Sequence, residues 1–406
     1  MRIAFASVSD QLGGSEVSLL EIIRVLRHAH PSWDLHLIAP GAGPLAGRAE
    51  ALGATVAILP MPLSLARLGE HGSGGRGRAG FAIRLMQAAS DVPAYQQALR
   101  RTLDAFDADV LHTNGFKAHI TGARARAGAA LVWHIHEYVS SRPVSRALLR
   151  RYAGRCAAII ANSYSVADDV RAVVGTAAPI RVIYNAVNLA VFDPSGTAAD
   201  LDALAALPPA APGTLRVGLV GTFTKWKGHE TFLRAMALLP RAIPVRAYII
   251  GAPLYETQGS QHSLAALQAL AQSLQIGDRV AFTGFVDGVA PVFRALDIAV
   301  HASTEPEPFG LAIAEAMACG RAVTTSATGG AAELVQPGVD ALTHRPGDAA
   351  DLARTIETLA VDTPLRRRLE LAARASAVRQ FDAAGLAVAL SDTYASVAGF
   401  RAGSVQ

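Results

Sequence analysis

Short apolar runs alternate along this chain with stretches in which apolar residues recur at helical spacing. The first run, residues 2–8, passes into a polar loop carrying the pair Gly13 and Gly14, and then Val17, Leu20, Ile23 and Leu26 recur at helical spacing. The pattern reads strand, glycine loop, helix. Further runs at 35–39, 55–59, 110–113, 130–136, 157–161 and 180–184 continue the alternation, with helical stretches between most of them. A second series starts at 216–220 and goes on through 246–251, 280–285 and 298–302. Near-continuous apolar strands alternating with helices predict an α/β protein of doubly wound parallel sheets.

At 406 residues the chain exceeds the size at which one core keeps growing, so two domains are expected. The two series are separated by a stretch containing Pro194, Gly196, Pro208, Pro209, Pro212 and Gly213, a linker composition. The expected division is a first domain at 1–193, a linker at 194–213, a second domain at 214–380 and a terminal helical stretch at 381–406. The last helices, at 349–359, 364–381 and 384–397, are expected to present Arg366, Arg367 and Arg368 on an exposed face.

Hydrophobic residues make up 51% and charged residues 17%, which suits buried sheets sandwiched by helices. No apolar run reaches the roughly eighteen residues a spanning helix needs, and Asp10 interrupts the first run before a signal-peptide core could form. With only Cys156 and Cys319, neither a disulfide framework nor a thiolate metal site is expected, which fits a reducing cytoplasm. Charge is uneven: residues 1–190 hold 20 Lys and Arg against 13 Asp and Glu, and the remainder 17 against 20. The positive residues cluster at 67–84 and 142–155, so an anionic membrane surface is a candidate neighbour. Solvated arginines are the alternative. No nucleic-acid-binding module is present.

The densest chemistry lies at 301–335. An apolar helical run from about Phe309 to Cys319 is preceded by Pro308 and followed by Gly320, the expected start and stop. The amides of Phe309, Gly310 and Leu311 would then be unpaired donors at a helix's positive end, where phosphate binds. Glu307 and Glu315 bracket that end, and carboxylates accept hydrogen bonds from hydroxyls such as those of sugar and ribose. Two solvated glutamates on an amphipathic helix are the plainer alternative. A second glycine-bounded loop, 221–228, holds Lys225 and Lys227, either of which can meet a diphosphate as a point charge. His134 and His136 fall on the same side of a strand near its carboxyl end. No third ligand accompanies them, so no metal is expected. Paired glycines let backbone approach a ligand, but no G-x-G-x-x-G fingerprint of a dinucleotide cofactor occurs.

The stretch EPFGLAIAEAMACGRAV, continued by Gly329, Gly330 and Glu333, resembles the signature of the retaining nucleotide-sugar glycosyltransferases of family 4, which have the GT-B fold. That resemblance implies two Rossmann-like domains facing an interdomain cleft, with the last helix crossing back to the first domain. It implies that Glu307 contacts the donor sugar, Glu315 the ribose and the Phe309 to Leu311 backbone the diphosphate, with Pro308 in the same segment. It implies donor contacts from Gly13 and Gly14, from the base-holding loop Gly284, Phe285 and Val286, and from His136 near the reacting carbon, His134 being the reserve. Lys227 matches the family's diphosphate lysine. The family arginine is replaced by Thr222, leaving Lys225 or the Thr222 hydroxyl as the substitute, and an N-G-V-D segment has Ala186 and Asn188 in place of glycine and aspartate. The implied activity is metal-independent transfer from a nucleoside diphosphate sugar, with no further cofactor, to a hydroxyl of a glycan, lipid-linked or small-molecule acceptor. The implied setting is bacterial cell-surface polysaccharide or glycoconjugate biosynthesis, cytoplasmic or peripheral on the inner face of the membrane. A nucleotide-sugar epimerase or hydrolase of the same fold, or a non-catalytic nucleotide-sugar-binding protein, would share the phosphate cradle.

Overall fold

The structure is a computed structural model that describes residues 1–66, 78–125, 128–253 and 260–398, with the backbone alone over 78–90. Most of the glycine and arginine loop expected at 69–80, and most of the polar loop at 254–262, fall outside the described residues. The chain divides into two compact units. One is Met1–Ala186 together with the stretch from Ala383, and the other is Val187–Asp382.

The first unit holds seven strands: β1 (Arg2–Ser7), β2 (Asp34–Ala39), β3 (Thr55–Ile58), β4 (Val110–Asn114), β5 (Ala130–Ile135), β6 (Ala158–Ala161) and β7 (Ile180–Val182). Their order in the sheet is β3-β2-β1-β4-β5-β6-β7, and every pairing is parallel. The second unit holds β8 (Leu215–Val220), β9 (Val245–Ile250), β10 (Val280–Gly284), β11 (Ile298–His301), β12 (Ala322–Thr325) and β13 (Leu342–Thr343), ordered β10-β9-β8-β11-β12-β13 and again parallel throughout. The central strands β4, β5 and β6 are buried along their whole length, His112, Thr113, Asn114 and His134 included, which is why they show no alternation of buried and exposed positions.

Two strands were not legible. β12 is a short Ala-Val-Thr-Thr segment right behind Arg321, and β13 has two residues. Gly329 and Gly330 lead not into a regular helix but into a single tight turn, Gly330–Glu333.

The first unit ends at Ala186, ahead of the boundary expected at 193, and the segment expected to be a linker is packed onto the second unit. The Val187 amide donates to the Phe381 carbonyl, and the Arg294 guanidinium donates to the carbonyls of Thr197 (2.7 Å) and Val191 (2.9 Å). Arg374 caps both Phe192 (2.9 Å) and the helix end at Ala318 (2.6 Å). Asp202, buried, accepts from the Arg246 guanidinium (2.5 Å), the Tyr248 hydroxyl (2.6 Å) and the Ala210 amide (2.9 Å). Burial pushes its carboxyl up, but those donors prevail and hold it down to about 2. Proline and glycine here mark irregular backbone anchored by buried charge, not a free connector.

The last helix, Ala383–Val397, belongs to the first unit. Its Leu386, Leu390, Tyr394 and Val397 join the core formed by Phe5, Leu19, Ile23 and Val132, and the Tyr394 hydroxyl lies 2.7 Å from His112 Nδ1. Arg366 departs from expectation: it is buried and donates to the Leu359 carbonyl (2.7 Å). Successive helical positions turn by about 100°, so three arginines in a row cannot share one exposed face.

Candidate functional site

In the second unit, glycines let three strand ends close on one another. Gly251, at the end of β9, has φ +144, and a Cβ there would lie 1.9 Å from the Gly221 carbonyl oxygen behind β8. The Gly251 amide in turn donates to the Gly284 carbonyl at the end of β10 (2.9 Å). The loop Gly284, Phe285 and Val286 is thereby held beside the loop that starts at Gly221 and carries Thr222, Lys225 and Lys227. Phe285 is 64% exposed at this edge.

A second close approach fixes Lys227. Gly228 has φ +77, and a Cβ there would lie 1.8 Å from the Ala302 carbonyl oxygen just past β11. The Thr304 amide donates to the Trp226 carbonyl (2.7 Å), which locks the lysine loop to the segment that follows β11. That segment carries Glu307. Lys227 Nζ donates to Glu307 Oε1 (2.7 Å) and Oε2 (2.8 Å) and lies 4.3 Å from the Trp226 ring centre. Lys225 is exposed, and the Thr222 hydroxyl is taken up by Thr224 (2.9 Å).

Glu307 is 6% exposed and receives further donors. The Ser303 hydroxyl donates to Oε2 (2.9 Å), and His301 Nε2 lies 3.1 Å from the same oxygen. His301 Nδ1 faces the Thr325 hydroxyl at 3.0 Å, and that hydroxyl already accepts from the Ala327 amide (3.1 Å). An ionised carboxylate only accepts, so the His301 Nε2–H is the donor to Glu307, while Nδ1 faces the Thr325 hydroxyl. Burial alone would raise the Glu307 carboxyl. The Lys227 charge and the His301 contact overcome this and hold it far below the usual carboxylate range. His301, Ser303 and Thr325 are the residues that sequence reasoning misses; a histidine ending a strand six residues ahead of the glutamate was the available signal.

The helix expected from Phe309 begins later, at Leu311, and runs to Ala318, with Gly310 at φ +106 as its cap. The amides aligned with the helix start are those of Leu311 and Ala312, and neither has a backbone acceptor among the described residues. Phe309 lies outside the helix with its ring buried, 6.0 Å from Phe381. Pro308 leads into this turn. Gly320, at φ +64, ends the helix as expected, its amide donating to the Met317 carbonyl (2.9 Å). Glu315 sits within the helix, half-buried, its side chain without a hydrogen bond or ion pair among the described residues, and burial pushes its carboxyl up to about 8. The two glutamates thus differ in kind: one is fixed as an anion by donors, while the other still lacks them.

In the first unit, Gly13 and Gly14 have no positive φ. Gly13 caps the helix Gly14–Ala29, and Glu16 folds back to accept from the Gly13 amide (3.2 Å) and the Ser15 hydroxyl (3.0 Å). This carboxyl group, buried and raised by that burial, already occupies the helix start. A phosphate is therefore a poorer partner there than a neutral hydroxyl. His136 lies just past β5, half-buried, its ring 4.0 Å from that of His134, and burial lowers it to about 4, so it is neutral at pH 7. His134 is fully buried with both ring nitrogens unpartnered. Among the described residues no group of three or more His, Cys, Asp or Glu is arranged to hold a metal ion.

Residues 12–191 match the family described as Glycosyltransferase Family 4, and residues 209–376 match Glycosyl transferases group 1. The lipopolysaccharide core biosynthesis glycosyltransferase LpsE of Rhizobium meliloti (strain 1021) is 31% identical over 224 residues, 55% of this chain and 59% of that protein. The D-inositol 3-phosphate glycosyltransferase of Mycobacterium sp. (strain KMS) is 34% identical over 194 residues, 47% of this chain and 41% of that protein. The chain thus aligns with less than two thirds of either relative. Anabaena Alr3699/HepE, solved in complex with UDP and with UDP-glucose, superposes with a TM-score of 0.78 at 26% identity, covering 98% of this chain and 100% of that one. The chain belongs to the group 1 glycosyltransferases of family 4, and its two parallel-sheet units have the GT-B fold.

Glu315 makes stability depend on pH. Its folded-state carboxyl titrates near 8 and its unfolded one near the ordinary 4.5, so between these values the folded chain holds a proton that the unfolded chain has lost. Stability from this group therefore falls as pH rises across that window, with no further change above it. Each pH unit crossed is worth roughly 1.4 kcal/mol, and solvent reaching this half-buried side chain returns about half of the total. Glu315→Gln is expected to match wild type near pH 4.5 and to exceed it by about 2 kcal/mol at pH 8.5 in urea unfolding. An equal gap at both pH values would show that Glu315 is ordinarily solvated.

Proposed function

We propose that the protein is a retaining, metal-independent glycosyltransferase that moves a sugar from a nucleoside diphosphate sugar to an acceptor hydroxyl. One observation carries the reading: Lys227 is held on Glu307, four residues ahead of the helix Leu311–Ala318 that holds the Leu311 and Ala312 amides and the Glu315 carboxyl, so adjoining segments of the second unit present positive groups for a diphosphate and an acceptor for ribose hydroxyls. Lys227 has three N–H groups and gives two to Glu307, so the third can meet a phosphate oxygen while the ion pair stays intact. The UDP and UDP-glucose complexes of the Anabaena protein favour a uridine donor.

Glu307 is a poor candidate for a nucleophile, since Lys227, Ser303 and His301 engage it and hold its basicity down. A same-face reaction follows in which the departing phosphate takes the acceptor's proton, the lysine and helix amides stabilise the growing phosphate charge, and Glu307 orients the sugar. The names of the relatives support an acceptor among lipopolysaccharide core sugars or inositol phosphates, which suits cell-surface glycoconjugate synthesis. An epimerase or hydrolase would turn over donor without acceptor, and a binding protein would not turn it over at all.

A UDP-sugar panel, assayed for released UDP and for glycoside product with EDTA present throughout, tests this. Turnover should require an acceptor, persist in EDTA, and fall on the order of 10²-fold in Lys227→Ala, the usual loss for one transition-state donor. UDP release without acceptor, or loss in EDTA restored by a divalent ion, contradicts the proposal. Near wild-type turnover in Lys227→Ala would move the phosphate role to Lys225.

The partner surface is proposed to include an anionic membrane. No helix among the described residues is long and apolar enough to cross one. The helix Pro143–Tyr152 buries Leu149, exposes Val144 and Leu148 one turn apart, and is surrounded by Arg142, Arg146, Arg150, Arg151 and Arg155 with no acidic residue inside it. Several arginines at about 1 kcal/mol each suffice for loose docking. The companion patch around Arg76 lies outside the described residues. Sedimentation with anionic vesicles should succeed at low salt and fade at high salt, because screening acts within about 8 Å at physiological ionic strength. Equal binding to neutral vesicles, or none to either, would make these arginines ordinary surface.

A further inference from the structure

One side chain of the lysine loop, the indole of Trp226, is left unused by the donor chemistry. The backbone on which it stands is tied down without it. The Trp226 carbonyl accepts from the Thr304 amide (2.7 Å) and hydroxyl (3.3 Å), and Gly228 lies hard against the Ala302 carbonyl. Neither contact involves the ring, so the course of the loop does not require an indole at 226. What the ring does touch is a cation. Trp226 is half-buried between Lys225, which is exposed, and Lys227, whose Nζ stands 4.3 Å from the ring centre. Five arginines of the first unit also lie near aromatic rings, but farther off, at 5.1 to 6.0 Å.

An aromatic ring attracts a cation through the negative face of its π-system, and the attraction strengthens as water is removed. Water is largely removed here: the Lys227 side chain is 24% exposed and that of Glu307 8%. A lysine is a compact charge on a flexible four-carbon stem, so a carboxylate sets the distance of its nitrogen without setting the side from which the stem arrives. Among the described residues Lys227 has two partners: the Glu307 carboxylate, which takes two of its N–H groups (2.7 and 2.8 Å), and the Trp226 face. Together they restrict the ammonium to one seat and leave one N–H for a ligand oxygen. A leucine at 226 would fill space beside the lysine but has no negative face to hold it.

We propose that Trp226 is a positioning residue: its indole face seats the Lys227 ammonium on Glu307 and so pre-places the positive charge that meets the donor's diphosphate. The proposal rests on the glycosyltransferase reading and adds the residue that keeps the phosphate lysine in place before a donor arrives.

UDP affinity, measured by calorimetry on the full chain, tests it through a double-mutant cycle of Trp226→Leu and Lys227→Ala. Trp226→Leu should weaken UDP about fivefold and Trp226→Phe about twofold, the order expected for a cation–π contact at a half-buried site. In the Lys227→Ala background Trp226→Leu should cost nothing further, because the ring acts through the ammonium. A second measurement alters the charge of the ring face while nearly keeping its shape. Tryptophan carrying one and then two fluorine atoms should weaken UDP stepwise in the wild-type chain and leave Trp226→Phe unmoved, since the other tryptophans, Trp33 and Trp133, lie in the first unit. This series also decides the matter if Trp226→Leu does not fold. Unchanged UDP affinity in Trp226→Leu, a loss that persists in full without Lys227, or indifference to fluorination overturns the proposal and leaves the diphosphate site standing. Failure of the wild-type chain to bind UDP rejects that site, and the role of Trp226 with it.

Discussion

A lysine and a carboxylate taken out of water together lose solvation that only their own attraction and added hydrogen bonds can return. The Lys227–Glu307 pair meets this condition through Ser303 and through His301, whose Nε2 faces the carboxylate and whose Nδ1 faces Thr325. Everything near the pair depends on it. The contact requires the lysine loop to lie on the segment past β11, which in turn requires glycine at 228, since any Cβ there would strike the Ala302 carbonyl. The same segment leads within a few residues to the cap at Gly310 and the helix start behind it. One ion pair, its carboxylate buried and its lysine half-buried, thus ties a cation and an anion to the segment that leads into the helix amides.

The two glutamates of the motif are driven in opposite directions by surroundings only eight residues apart. Glu307 is saturated with donors and stays ionised, whereas the half-buried Glu315 carboxyl has none and is raised by that burial. Two carboxyl groups whose environments push them apart usually have different tasks. Here one organises the protein's own cation, and the other stores an unfavourable burial that hydroxyl donors from a ligand would relieve, a stability cost of the kind functional sites carry.

The alternation of strand and helix was readable because both sheets are parallel and their central strands are buried on both faces, so these strands open on short apolar runs such as Val110-Leu111, Ala130 to Trp133 and Ala158 to Ala161. β13 escaped because it has two residues at the edge of the second sheet, and β12 because its Ala-Val-Thr-Thr run, half of it polar, follows directly on Arg321. The division of the chain was misplaced because proline and glycine mark irregular backbone without saying whether it is anchored; Asp202 and Arg294 anchor it, and neither lies in a recognisable motif. At the site, Lys227, Glu307 and Glu315 carry local signals, a glycine-bounded loop and a helix start. The support from His301, Ser303 and Thr325 comes from contacts across strands.

A nucleoside diphosphate held by the second unit at the start of the helix Leu311–Ala318 is the feature on which the proposed chemistry turns. A crystal structure of the full chain grown with UDP tests it most directly. Diphosphate oxygens are expected within hydrogen-bond distance of the Leu311 and Ala312 amides and of Lys227 Nζ, with the ribose hydroxyls on Glu315 and the Lys227–Glu307 contact retained. UDP bound elsewhere on the chain, or at this helix with Glu315 still unpartnered and Lys227 turned away, would contradict it.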